Sequence, residues 1–359
     1  MPGDPGQAFD KSRSMELPRN VVIGHQVVLE AGRVTHRLQL RGPVLIVEDP
    51  ITRKVAGNRV GEALREEGIE AEHHIIEDAT LRETEVVGSI LQDRGMNAVL
   101  GVGGGRPIDV AKYASFRQHI PFLSLPTAAS HDGLVSANAS LLGPDGKKTS
   151  LAAHAPLAVV MDTEVIAASP HRLLASGSAD IISNATAVKD WMLANRLRNE
   201  NLSSYAVALS EMTSRMIIEG APHIKPGLEE SAWNVCKALV SSGVAMSIAG
   251  SSRPASGSEH LFSHALDRLA QQPALHGEQV GIGTIMMMYL HGGDWEEIRD
   301  ALAVIGAPTT AKAVGISPKE IRAALVHAHE IKPERYTILG DKGLSPEAAD
   351  HVASLTGVV

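Results

Sequence analysis

The chain has 359 residues, 44% of them hydrophobic and 21% charged, which is enough for two domains with their own cores. A formal net charge of −8 disfavours nucleic acid or an anionic membrane as partner, since both are met by a basic face; an anionic small molecule stays open, because a few local charges govern a cleft. Cys236 is the sole cysteine, which excludes an intramolecular disulfide and a thiolate metal cage and fits a reducing cytoplasm.

Residues 1–16 read as a Gly/Pro-rich flexible tail with no apolar signal core. Strand-like and helix-like segments then alternate. NVVIG (20–24) precedes the helical HQVVLEAGRVTHRL, and PVLIVED (43–49) precedes a helix through ITRKVAGNRVGEALREEG. EAEHHII (70–76) is a third strand, followed by the amphipathic LRETEVVGSILQDRG. NAVLGVGGG (97–105) is a fourth, ending in three glycines before a helix that opens with Pro107. IPFLSLPT is a fifth strand. This alternation predicts a mostly parallel sheet with helices on both faces. NASLLGPDGKKTSLA predicts a hairpin around Gly143-Pro144-Asp145-Gly146, and LAVVMD (157–162) one more strand. From Ser169 the pattern is helical, broken at APHIKPG, SSRPASGS, QQPALHGE and IGAPTT, which places a domain boundary near residue 168. The longest apolar run, VGIGTIMMMYL (280–290), is too short to cross a bilayer.

Four features carry candidate chemistry. GVGGGRPIDVAK joins a strand, three glycines and a helix start, the makings of a phosphate cradle. Its spacing differs from the dinucleotide fingerprint and it follows the fourth strand, so the pattern alone indicates a phosphate-containing ligand or a plain tight turn. Glu48 and Asp49, at the end of the second strand, could accept from a ribose or merely cap a helix. LPTAASHDGLVSANAS (125–140) leaves a strand end with small hydroxyl residues, suited to a ligand or to a surface turn. In SGSEHLFSHALDRLAQQPALHGEQVGIG, His260 and His264 share a helical face and His276 follows a break. With Asp180, set in an apolar helix where an unpaired charge is costly, two histidines would make a three-ligand metal site with open positions; an internal cap or ion pair is the plain alternative for Asp180.

Together GVGGGRPIDVAK, LPTAASHDGLVSANAS, SGSADIISN, SGSEHLFSHALD and LHGEQVGIGT resemble the glycerol dehydrogenase-like branch of the iron-containing alcohol dehydrogenases, from about Leu17 to the end. The form HDGLVSANAS is most similar to the archaeal-type sn-glycerol-1-phosphate dehydrogenases, since glycerol dehydrogenases tend to carry threonine where His131 stands. The resemblance implies a Rossmann-like dinucleotide-binding α/β domain over 17–168 and an all-helical metal- and substrate-binding domain over 169–359. It implies Asp180, His260 and His276 as ligands of one Zn²⁺, with Asp180 also touching substrate. NADH or NADPH would have its pyrophosphate at Gly104, Gly105, Arg106, Pro107, Ile108 and Asp109 and its ribose at Asp49. Thr127, Ala128, Ala129, Ser130 and Ser136 would line the nicotinamide side, and Asp132 and His264 would contact substrate as candidate proton donors. The implied reaction is reduction of dihydroxyacetone phosphate to sn-glycerol 1-phosphate, the backbone of archaeal ether lipids, by a cytoplasmic homo-oligomer; glycerol dehydrogenase is the alternative. Lys147, Lys148 and Arg253 are candidates for the substrate phosphate.

Overall fold

A computed structural model describes residues 15–359, so the expected tail lies, but for its last two residues, outside the described residues. Six parallel strands form one sheet in the order β1-β8-β5-β4-β2-β3. They are β1 (Asn20–Gly24), β2 (Val44–Glu48), β3 (Ala71–Ile75), β4 (Ala98–Gly103), β5 (Phe122–Pro126) and β8 (Ala158–Asp162). The central strands β2, β4, β5 and β8 are buried at every position, which is why they read as unbroken apolar runs rather than as alternations. Edge strand β3 is half-buried throughout and tolerates His73 and His74. Ile46, Leu100 and Leu123 face one core, with the Ala31–Arg37 and Asn58–Glu66 helices. Leu45, Val99 and Phe122 face the other, which runs on into the C-terminal helices. The antiparallel hairpin of β6 (Asn138–Leu142) and β7 (Lys148–Ala152) stands apart from the sheet. All regular structure after Asp162 is helical among the described residues.

The segment after β2 departs from the single expected helix. Pro50–Thr52 is one α-turn, Arg53–Gly57 is a π-turn, and only then does the Asn58–Glu66 helix run on. The cause is Glu48, fully buried beneath this turn: a side chain on Gly57 would lie 1.6 Å from its Oε2. The segment after β1 likewise begins as a 3-10 turn, Val27–Glu30, pinned where Val28 N–H donates to Asp162 Oδ2 at 2.9 Å.

Connections leave β2 toward β3 on one side and return to β4 on the other. The carboxyl ends of β2 and β4 therefore flank a crevice, the place where open α/β sheets bind ligands.

Candidate active site

A cleft of about 1080 Å³ opens between these strand ends and the C-terminal helices. On the sheet side the Gly105–Gln118 helix begins without a side-chain cap; Pro107 has no N–H and Ile108 N–H donates to Gly104 O at 3.4 Å, which leaves the Gly105 and Arg106 N–H groups for an anion. Gly104 faces open space: nothing lies within 4 Å of a Cβ built there, and such a Cβ would intrude on the cleft that Gly104 lines. This is the cradle a pyrophosphate needs. Gly105, Arg106, Pro107, Asp109, Thr127, Ala128, Ser130 and Ser136 also line the cleft. Ile108 and Ala129 do not; both are core residues, fully buried, and only their backbone is near the site.

Asp49 lines the cleft and caps the turn after β2, its Oδ1 accepting from the N–H groups of Ile51 and Thr52 at 2.9 Å each. Glu48 is excluded from the cleft. Its Oε1 lies 2.7 Å from His73 Nδ1, so its role is internal.

On the helical side, Asp180 comes from the His171–Ile182 helix, His260 from Ser258–Leu269 and His276 from the start of His276–Leu290. One donor atom from each lies within 4.8 Å of the others. His260 Nε2 is 3.4 Å and His276 Nε2 3.6 Å from Asp180 Oδ1. That oxygen is buried and has no hydrogen-bond partner among the described residues, an orphan that a cation would satisfy. The donors thus fit a divalent metal bound by three nitrogen and oxygen atoms. Close helix packing brings them together: a Cβ on Gly277 would meet Ser176 O at 2.0 Å, and Arg172 clamps Glu278 through two bonds of 2.6 and 2.7 Å.

The ligands are themselves held. Glu259 Oε1 accepts from His260 Nδ1 at 2.9 Å, which leaves Nε2 for the cluster, and Glu259 Oε2 accepts from the Thr186 hydroxyl at 2.8 Å. Asp180 Oδ2 accepts from Asp132 N–H at 2.9 Å. Burial works against the Asp180 charge, but contact with His260 and the neighbouring histidine charges hold its carboxyl below the ordinary range. Burial also disfavours charge on His260, yet Asp180 and Glu259 raise it to about 10. His276 is pushed down to about 3, by burial and by the other histidines against Asp180.

Asp132 and His264 both face the cleft. Burial, then the Asp180 charge, lifts the Asp132 carboxyl to about 7, although Ser242 donates to it at 2.9 Å. His264 is one turn from His260, with ring centroids 6.3 Å apart, and burial lowers its pKa. Of the three basic candidates, only Lys148 lines the cleft. Lys147 is exposed on the hairpin turn. Arg253 is buried, bound to Glu200 Oε1 at 2.7 Å and to Tyr336 O at 2.9 Å, and is spent on structure.

Four residues go unmarked in the sequence reading. Lys112 is fully buried and its ammonium donates to Asn138 O at 2.7 Å and to Gly133 O, with Asp109 Oδ1 at 3.4 Å. It ties the glycine-led helix to the 131–138 loop. Asp267 and Lys332 line the cleft, and Glu259 sits behind His260. Helical spacing could have found Asp267, three residues after His264; no motif marks Lys332.

Fold and site together define a metal-site, dinucleotide-cleft oxidoreductase architecture. Residues 22–170 match the family described as iron-containing alcohol dehydrogenase. The chain is 57% identical over 350 residues to a glycerol-1-phosphate dehydrogenase, NAD(P)+, of Methanosarcina acetivorans, covering 98% of both chains. It is 53% identical over 345 residues to the enzyme of that name from Pyrococcus horikoshii, covering 96% of this chain and 99% of that one. Glycerol dehydrogenase from Schizosaccharomyces pombe shares the fold, with TM-score 0.83 at 20% identity over 97% of this chain and 91% of that one. The chain belongs to the iron-containing alcohol dehydrogenase family, and its relatives there at more than half identity are glycerol-1-phosphate dehydrogenases.

Proposed function

We propose that this chain reduces dihydroxyacetone phosphate to sn-glycerol 1-phosphate with NADH or NADPH, as a zinc-dependent glycerol-1-phosphate dehydrogenase supplying an ether-lipid backbone. The observation that carries this reading is the convergence of Asp180, His260 and His276 beside a glycine-led helix start, in a chain so similar to enzymes of that name. The glycerol dehydrogenase alternative has only a likeness of fold behind it.

Residues 17–168 would hold the dinucleotide and 169–359 the metal and most of the substrate; all three ligand candidates come from the latter. The backbone N–H groups of Gly105 and Arg106, with Gly104, Pro107, Ile108 and Asp109 forming the rest of the turn, would receive the pyrophosphate, and the free Oδ2 of Asp49 a ribose hydroxyl. Thr127, Ala128, Ser130 and Ser136 would border the nicotinamide. A metal ion held by Asp180, His260 and His276 would supply Lewis acidity toward the substrate carbonyl, and a nicotinamide in the cleft would supply the hydride. Asp132 and His264 are the two candidate donors of the single proton that the C2 oxygen requires, directly or through water. Ser242 orients the Asp132 carboxyl, and Asp267, 3.8 Å from His264 Nδ1, orients the imidazole.

No described helix is long and apolar enough to cross a membrane. A cytoplasmic location is in keeping with Cys236, buried and free. A homo-oligomer is supported by the Ser204–Gly220 helix, which presents Tyr205, Leu209, Met212 and Met216 on one outward stripe. Tyr205 is 81% and Met216 59% exposed.

Chelation should abolish dihydroxyacetone phosphate reduction, and one zinc per chain should restore it. His276→Ala should lose metal and activity together, since three ligands are already few. A His276→Ala protein with stoichiometric metal and full rate would overturn the ligand assignment.

A further inference from the structure

Four permanent cations line the cleft: Arg59, Arg106, Lys148 and Lys332. Arg106 follows the glycine cradle and Arg59 lies on the helix after β2, both on the dinucleotide side. Lys148 and Lys332 belong to the other end, with His264 and Asp267. Lys148 Nζ lies 3.7 Å from Asp267 Oδ1, so its charge is already answered by a buried acid. The Lys332 ammonium has no hydrogen bond or ion pair among the described residues, although the residue is half-buried; only its carbonyl is engaged, accepting from Arg335 N–H at 2.9 Å. Its charge is close enough to oppose protonation of His264.

Behind Lys332 stands a second cation. Arg335 donates to Ser256 O and, at 2.9 Å, to Ser252 Oγ, fixing a loop whose Ser252 and Ser256 also line the cleft. Burial and then Arg335 push the Lys332 amine below its ordinary value, against a smaller opposing effect of Glu334. Glu259, Glu200 and Glu334 answer part of the Arg335 charge, but no acid contacts the Lys332 ammonium, and a partly desolvated cation beside another is costly unless an anion joins it. Lys332 lines the same cleft as His260, His264 and His276, so one small molecule in that cleft can meet both the ligand cluster and the lysine.

We propose that Lys332 is the principal contact of the substrate phosphate, with Ser252 and Ser256 as neighbouring donors and Arg335 as the charge behind them. Lys148 acts through Asp267: it neutralises an acid that would otherwise repel the phosphate. This rests on the reading of the chain as an enzyme of phosphorylated glycerol, and it makes Lys332 a determinant of specificity. The molecule as a whole is acidic, so the choice between a phosphorylated and a free three-carbon substrate is made by this local positive end of the cleft.

The test is steady-state kinetics of the zinc-loaded enzyme on dihydroxyacetone phosphate and dihydroxyacetone, with Lys332→Gln and Lys332→Arg beside the unmodified protein. Zinc content and melting temperature are measured for each. Lys332→Gln should lose about ten- to a hundredfold in kcat/KM for the phosphorylated substrate, mainly through KM, and change little for the free one. Lys332→Arg should recover most of the loss. Inorganic phosphate should compete with dihydroxyacetone phosphate in the unmodified enzyme, and more weakly in Lys332→Gln. If the unmodified enzyme prefers dihydroxyacetone, the functional reading itself fails. If it prefers the phosphate but Lys332→Gln leaves the preference intact, or weakens both substrates alike, Lys332 is not the phosphate ligand.

Discussion

Lys112 shows how much one unmarked side chain can carry. It is the last residue of GVGGGRPIDVAK, and a lysine there in a half-exposed helix would ordinarily face water. Instead it is fully buried, and desolvation lowers its pKa despite Asp109. Lys112→Met would leave the Asp109 carboxylate without its cation and the Gly133 and Asn138 carbonyls without their donor. We expect a loss of about 3–5 kcal/mol in stability, the usual cost of breaking a buried charged pair. Equilibrium denaturation measures it, and a loss within about 0.5 kcal/mol, typical of surface substitutions, would show the lysine to be dispensable. Asp180 and the histidine-rich segment were conspicuous in the sequence, but the four-residue spacing pairs His260 with His264; it was the family resemblance that implied His276 as the third ligand, the set whose donor atoms the fold brings within 4.8 Å. Lys332 was not conspicuous, because a loop lysine is ordinary in sequence and becomes unusual only when the fold half-buries its ammonium with no acid in contact; Arg335 was not, because its burial among Ser252, Ser256 and nearby acids is a tertiary matter. Arg253 misled for the converse reason: it is adjacent in sequence to the histidine helix but is turned to Glu200.

At the scale of elements, the glycine turn between β4 and the Gly105–Gln118 helix is the clearest case of local sequence dictating a site. Gly104 has space around it, so a side chain there would not disturb folding; it would occupy the cleft. Gly104→Val should therefore keep the melting temperature and weaken NADH and NADPH by a similar factor, as read by fluorescence titration. Unchanged cofactor affinity would make the turn purely structural. The strands were readable because both faces of the central four are covered, leaving apolar runs bounded by turn residues. The π-turn at Arg53–Gly57 was not, since it answers to Glu48 below it, a tertiary cause that helical periodicity does not record. Glu48 also failed as a ribose ligand on this account: at a strand end, one residue's difference in position separates the cleft, which Asp49 reaches, from the core.

For the whole molecule, the alternation of strands and helices followed by helices alone was enough to anticipate a sheet domain and a helical region. The order of the strands and the depth of the cleft depended on topology that no segment shows by itself. The outward stripe on the Ser204–Gly220 helix belongs to this scale. We expect sedimentation velocity to show a dimer or larger species, and Met212→Glu combined with Met216→Glu to shift it toward smaller ones; a monomer at micromolar concentration would contradict the oligomer.

The central claim is that the cleft works on a phosphorylated three-carbon ketone, and one assay reaches it directly. The purified, zinc-loaded enzyme is given dihydroxyacetone phosphate or dihydroxyacetone, each with NADH and with NADPH, and kcat/KM is compared. A buried, charge-assisted phosphate contact predicts a preference for dihydroxyacetone phosphate of at least about tenfold with either cofactor. Equal or better turnover of dihydroxyacetone would contradict the account and make the chain a glycerol dehydrogenase on the same fold.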